Sequence, residues 1–386
     1  MPERLEFTEE SVLGTAREAA GGPSDFGGEG FREGLRVLLE TYERTANFSE
    51  AGRRRNHRRV VQLLANRLRI QQALERHPEI LAREVRRPLV MTGLPRSGTS
   101  ALFNLLAADP AARPLRLWEA LFPWPLDEPP PDGRDPRRDA VEAHYARGRE
   151  RNPEFTKIHY LSADTPEECV LLLSHDFCDA QMGIEVVMEP YGSWFQKQDL
   201  RRTYAYYRQL LKLLDWQRPG ERWTLKTPAH LWAIDPLIEL FPDVCLVWTH
   251  RNPLESTASI CSMTAALMAA REGFDPRELG PPLLEYYAAS LERGLAARAR
   301  RDSARFFDAD YRRFLADPVG VAESIYAHFG LPLGPGVIAA LRRHARENPQ
   351  GRHGAHEYSL ADYGLTPGRV RERFADYIRR YDLPAD

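Results

Sequence analysis

The sequence predicts an α/β fold: a central parallel sheet flanked by helices, with a P-loop-like loop after the first strand and an N-terminal helical layer. Three observations predict it. Short apolar runs separated by helical stretches recur after residue 88, the pattern of parallel βαβ units with right-handed crossovers. The first of these runs passes through a glycine loop straight into a helix. Before it, the chain shows mainly the three- and four-residue apolar spacing of helices. At 386 residues the chain can bury a substantial core. We therefore expect residues 1–87 to be a helical extension packed on the core and residues 88–386 to form the α/β domain.

Taken in order, Phe31 to Thr45 and His57 to Leu74 read as helices, the second with Val60, Leu63, Leu64 and Leu68 on one face and His77-Pro78 as its stop. A strand at Leu89 to Met91 leads into the glycine loop and a helix that Asp109-Pro110 ends. Phe122 to Arg138 is proline-rich and reads as a long irregular loop. Helices are expected at Asp139–Glu150, Pro166–Met182 and Asp199–Trp216, a strand at Arg222–Lys226 and a helix at Leu231–Leu240. Val244 to Thr249 is a buried-strand candidate followed by a helix, and Ala304 to Ala309 a fourth strand. Ligands of such sheets gather at the carboxyl ends of the strands. Gly93, Lys226, Arg251 and Tyr311 all fall just beyond those ends and are expected to face one cleft.

The loop Gly93-Leu94-Pro95-Arg96-Ser97-Gly98-Thr99-Ser100 has the glycine spacing of a nucleotide-triphosphate cradle. It lacks that motif's lysine: Thr99 stands in the lysine slot, and the cation is Arg96, inside the loop. Converging backbone N–H groups at a helix N-terminus still favour a phosphate-like anion. A divalent metal is not expected, which argues against most ATP chemistry. A second anion-binding signal is Arg251-Asn252-Pro253, followed by a helix whose early turns carry Ser256 and Ser259.

Composition narrows the classes further. A formal net charge of −2 argues against a general nucleic-acid binder. The basic run Arg53 to Arg59 is expected to be a solvated helix face. The scattered cysteines Cys169, Cys178, Cys245 and Cys261 have no metal-ligand spacing and are expected to be reduced thiols. No apolar run approaches the roughly 18–20 residues needed to span a bilayer. The charged N-terminus does not read as a signal peptide, so a cytoplasmic protein is expected.

Together, the two anion motifs resemble those of sulfotransferases that use 3′-phosphoadenosine 5′-phosphosulfate (PAPS). Gly93 to Ser100 resembles their 5′-phosphosulfate-binding loop, and Arg251-Asn252-Pro253 with Ser259 resembles their 3′-phosphate motif. The resemblance runs from about Pro88 to Gly364. It is closest to a broad bacterial group in which a Trp-Glu pair, a Leu-Lys-Thr-Pro segment and a His-Arg-Asn-Pro segment recur in this order. It implies PAPS as sulfuryl donor, no metal, and in-line transfer to a hydroxyl of a small-molecule acceptor. The products would be a sulfate ester and 3′-phosphoadenosine 5′-phosphate. A sulfuryl group carries less charge than a terminal phosphoryl group, so fixed cations and amides suffice where a kinase needs magnesium.

The resemblance also implies roles. Arg96 would neutralise the 5′-phosphate and the departing bridge oxygen, with Ser97, Gly98, Thr99 and Ser100 supplying donors. Arg251 and Ser259 would hold the 3′-phosphate, Tyr311 would approach the adenine, and Arg352 and Gly354 would belong to a loop closing over the 3′-phosphate. Ala101 stands where cytosolic relatives often carry an adenine-stacking aromatic. Lys226 matches the family lysine that stabilises transition-state charge. An attacking hydroxyl needs a general base, and two candidates stand open. Glu119, in a Trp-Glu pair 23 residues after Arg96, resembles the glutamate of tyrosylprotein and several carbohydrate sulfotransferases. His230 lies near the histidine of cytosolic small-molecule sulfotransferases, but four residues after the lysine rather than two.

Trp118, Phe122, Trp124, Tyr191, Trp194 and Phe195 suggest an apolar acceptor wall, hence an alcohol or phenol. Two rival readings are an ATP-dependent P-loop kinase and a catalytically inactive binding protein on the same fold. The first is opposed by Thr99 and by a strand end lacking a magnesium-binding aspartate. The second is opposed by retention of Arg96, Lys226 and Arg251 together.

Overall fold

In the computed structural model, residues 5–128, 130–151, 160–184, 189–268, 271–348 and 359–383 are described. Five parallel strands form one sheet in the order β2-β3-β1-β4-β5. They are β1 Leu89–Gly93, β2 Ala112–Pro114, β3 Arg222–Lys226, β4 Cys245–His250 and β5 Phe306–Asp310. β1 is central, pairing Leu89 with Thr224 of β3 on one side and with Cys245 of β4 on the other. All residues of β1, β3 and β4 are buried, as expected of parallel strands covered on both faces. The sequence reading missed β2. Its three residues, Ala-Arg-Pro, form no apolar run, and proline is tolerated because the strand is an edge.

The N-terminal layer consists of α1 Glu9–Ala20, α2 Arg32–Arg44 and α3 Glu50–Arg76. Thr8 caps α1 and Ser49 caps α3, each side chain accepting a backbone N–H of the first turn. Val60, Leu64 and Leu68 of α3 are wholly buried and share one contiguous apolar cluster with Val90, Leu225 and Leu246 of the sheet. Burying each such side chain contributes about 1.5–3 kcal/mol. Buried Arg67 adds a polar clamp, donating to the carbonyls of His175 at 2.9 Å and Phe26 at 3.1 Å. Its guanidinium lies over the rings of Phe31 and Tyr206.

The expected continuous helix over Pro166–Met182 does not form. Short helices at Val170–Leu173 and Ala180–Ile184 flank a turn in which Phe177 is left-handed at φ 53°. The segment is instead tied to the sheet, where the Cys169 N–H donates to the Lys226 carbonyl at 2.9 Å. That bond positions Glu167 and Glu168 at the carboxyl end of β3.

Candidate active site

Two glycines in the loop after β1 are required by close approach. At Gly93, φ is 149°, and a Cβ would lie 2.4 Å from Thr249 Oγ1 and 2.6 Å from its carbonyl oxygen. At Gly98, φ is 89°, and a Cβ would lie 2.6 Å from the Tyr311 ring. The Ser97 hydroxyl is turned inward, donating to the Leu94 carbonyl at 2.6 Å and lying 2.6 Å from Thr249 Oγ1. It shapes the loop, whereas the side chains of Arg96 and Ser100 are exposed and Thr99 is buried.

The second anion motif closes onto the first. Arg251 Nη1 donates to the Arg96 carbonyl at 3.0 Å, which helps hold Arg96 in its left-handed conformation at φ 64°. Arg96 Nε in turn donates to Ser259 Oγ at 3.0 Å. The Arg251 guanidinium stacks 4.4 Å from the Tyr311 ring centre and pairs with Glu255 at 2.9 Å. Asn252 caps the following helix, its side chain accepting from the Leu254 N–H at 2.9 Å, with Pro253 as the first helical residue. Arg96, Gly98, Arg251, Ser259 and Tyr311 are thus one contiguous group.

Lys226, at the end of β3, joins the last residue of the glycine loop to a carboxylate. Its Nζ donates to Ser100 Oγ at 2.9 Å and lies 2.5 Å from Glu168 Oε1. Thr227 Oγ1 donates to the other Glu168 oxygen at 3.1 Å. The Glu168 side chain keeps 29% of its surface exposed. Burial pushes neighbouring Glu167 up to about 7, against the pull of Lys226 and with added repulsion from Glu168. Sequence reasoning passed over Glu168. The available signal was a Pro-Glu-Glu run immediately before the apolar Cys-Val-Leu-Leu-Leu stretch.

The two base candidates read from the sequence have different surroundings. Glu119 is 1% exposed and receives a bidentate pair from Arg113, with both N–O distances 2.8 Å. The Arg116 N–H donates to one of its oxygens at 3.0 Å, and Arg218 Nε lies 3.2 Å from the other. Both oxygens are therefore committed to buried Arg113, with half-buried Arg218 beside one of them, and partial burial lowers the Arg218 guanidinium to about 10 despite Glu119. His230 has no exposed surface. Its Nδ1 is 2.7 Å from the Tyr204 hydroxyl, and burial lowers the ring to about 3.

Arg352 and Gly354 lie outside the described residues. Of the six aromatics expected at an acceptor wall, Phe122 lines a cavity of about 550 Å³ whose wall also includes Leu171, three residues after Glu168. Tyr191 and Phe195 are core residues. Trp124 donates to Asn66 at 3.0 Å, and Trp194 donates to Glu33 at 3.0 Å. Among the described residues no helix is long and apolar enough to cross a membrane.

Comparison with known proteins gives the family and agrees with the fold. A search of curated proteins finds no match. The chain is similar to the crystal structure of sulfotransferase STF1 from Mycobacterium tuberculosis H37Rv, at 34% identity and a TM-score of 0.86, covering 96% of this chain and 98% of that one. It is also similar to sulfotransferase STF9 from Mycobacterium avium, at 29% identity and a TM-score of 0.90, covering 100% and 99%. A model described as the sulfotransferase family matches residues 88–335, and the chain belongs to that family.

Proposed function

We propose that this sulfotransferase uses PAPS as donor and a hydroxyl of a small-molecule alcohol or phenol as acceptor. The observation that carries the reading is a pair of contact sets on one glycine loop: Arg251 and Ser259 meet Arg96, and Lys226 meets Ser100 and Glu168. It supports a donor anchored at two anionic ends, beside a lysine–carboxylate pair. The residues suit such a donor: Gly93 and Gly98 let the loop pack closely on Thr249 and Tyr311, and Arg96 and Ser100 remain accessible. Bound there, PAPS would supply the transferable sulfuryl group.

In this reading Arg251 and Ser259 bind the 3′-phosphate, with Tyr311 beside the adenosine. Arg96, the N–H groups of Gly98, Thr99 and Ser100 and the Ser100 hydroxyl bind the 5′ side. Lys226 holds positive charge where negative charge develops on the leaving oxygen. Glu168 is the general base: it is partly exposed, fixed by Thr227 and adjacent to Lys226. It takes the acceptor hydroxyl proton as the new O–S bond forms and the bridging S–O bond breaks. Glu119 serves as the counter-ion of Arg113 and Arg218, and His230 as a neutral core residue hydrogen-bonded to Tyr204. We further propose that residues 88–386 form the catalytic domain, with residues 1–87 as an extension packed on it, in a protein that works in the cytoplasm.

Radiolabelled sulfate from PAPS should appear on a simple phenol without added metal, and 3′-phosphoadenosine 5′-phosphate should raise the melting temperature. Stabilisation by Mg-ATP alone would favour the kinase reading. Absence of transfer to every member of a broad alcohol and phenol panel, despite bisphosphate binding, would favour the inactive one.

A further inference from the structure

The basic run Arg53 to Arg59 is not only a solvated face. Arg55, Arg58 and Arg59 of α3 line the 550 Å³ cavity, and Arg147 of the helix Pro136–Arg151 faces them across it. The cavity walls are mainly apolar, with Leu63, Leu121, Phe122, Val141, Tyr145 and Leu171, but also carry Gln62, Asn66, His144, Ser174 and His175. Its size is that of a small-ligand pocket, for which about 300–1,000 Å³ is usual. Among the described residues no carboxylate lines it. Arg55, Arg58 and Arg147 make no ion pair among the described residues, whereas most arginines of this chain are paired.

Two lining residues, Leu171 and Tyr145, lead from the cavity towards the proposed reacting groups. The Leu171 N–H donates to the Glu168 carbonyl at 3.2 Å, so this part of the wall lies within one turn of the proposed base. At the same end, burial raises the Tyr145 hydroxyl, with the Glu167 carboxylate as a second cause. An acceptor in the cavity would have its hydroxyl near Glu168, its body on the apolar walls and its far end among the arginines.

We propose that the acceptor is an amphipathic anion: an apolar or aromatic body with the reacting hydroxyl at one end and a carboxylate, sulfonate or phosphate at the other. The apolar walls supply affinity, and the cations supply orientation, because a reversed molecule would set its anion beside Glu167 and Glu168. This rests on the sulfotransferase reading above, and the test separates the two.

Binding is measured with two fluorescent probes of nearly the same shape. One is 8-anilinonaphthalene-1-sulfonate, an anion, and the other is N-phenyl-1-naphthylamine, which is neutral. The native protein should bind the sulfonate at least tenfold more tightly. Arg55→Glu/Arg58→Glu should remove that preference while leaving the neutral probe's affinity within twofold. In parallel, radiolabelled transfer is compared between a 4-hydroxyphenylalkanoic acid and its methyl ester, and the acid should be favoured at least tenfold in kcat/KM. Equal use of acid and ester, or a sulfonate preference that survives the double charge reversal, would overturn the anionic pocket and leave the transferase reading intact. Charge-dependent probe binding without transfer to any acceptor would support the pocket and overturn the transferase reading instead.

Discussion

The proposed donor side and the proposed acceptor side of this molecule are built in different ways. The donor side gathers at the ends of β1, β4 and β5, where short loops fix each residue by its distance from a strand. Arg251 reaches the Arg96 carbonyl across 155 residues of sequence, yet both are at most a few residues from the ends of adjacent strands. The acceptor side is assembled from α3, the helix Pro136–Arg151 and the turn after Glu168, elements with no common register. The carboxyl ends of adjacent strands can hold a ligand in a fixed frame. A wall of separate helices can change its side chains without disturbing that frame.

The sharpest way to break this contrast is to remove the reacting groups where the two sides meet. Glu168→Gln should lower kcat by about 10²–10⁴-fold, and Lys226→Ala by about 10²–10³-fold, in a radiolabelled transfer assay. In Glu168→Gln, 3′-phosphoadenosine 5′-phosphate should still raise the melting temperature. Glu119→Gln should behave oppositely. It leaves Arg113 buried without its counter-ion, a change that costs about 3–5 kcal/mol in urea unfolding, while the folded fraction turns over. A well-folded Glu119→Gln protein without activity would return the base to Glu119.

Next in size is the donor frame itself. Gly98→Ala places a methyl group against Tyr311 at a left-handed position, with a cost on the order of 1–3 kcal/mol. It should also abolish stabilisation by the bisphosphate, read by thermal shift. A full shift would mean that the loop tolerates the displacement of Tyr311.

Two buried histidines should show themselves in acid. His175 and His230 are buried and neutral, lowered to about 4 and about 3 from an ordinary 6.5. Between those values the unfolded chain binds more protons, so their contribution to stability is complete above about pH 6.5 and is lost as pH falls. The melting temperature should decline from pH 6.5 towards 4, and His230→Gln should flatten the decline. Glu167 has the opposite sign. Its pKa is raised to about 7, so the contribution present below about 4.5 is lost as pH rises through 7. Glu167→Gln should therefore raise the melting temperature at pH 8, by the smallest margin of these variants.

The same contrast explains what the sequence revealed. Gly93, Arg96, Gly98, Arg251 and Lys226 were legible because glycine spacing and strand ends are local properties. The four longer strands were legible for the same reason. Glu168 was not, because its meaning depends on the Cys169–Lys226 hydrogen bond, which joins segments 57 residues apart. Glu119 and His230 look catalytic in one dimension. Only packing reveals that Arg113 and Arg218 surround the first and that Tyr204 holds the second in the core. The basic run on α3 looked like an ordinary wet helix face until the helix Pro136–Arg151 closed a cavity against it.

That placement of α3 has a consequence for inheritance. Residues 88–335 are the stretch that the family model matches, and Arg55, Arg58 and Arg59 lie outside it. On the proposed reading, two descendants could keep the whole shared stretch, spend the same sulfuryl donor and still part ways in what they sulfate through drift in one N-terminal helix. Exchanging that helix between relatives would then exchange their tastes while leaving their ancestry written unchanged in the rest of the chain.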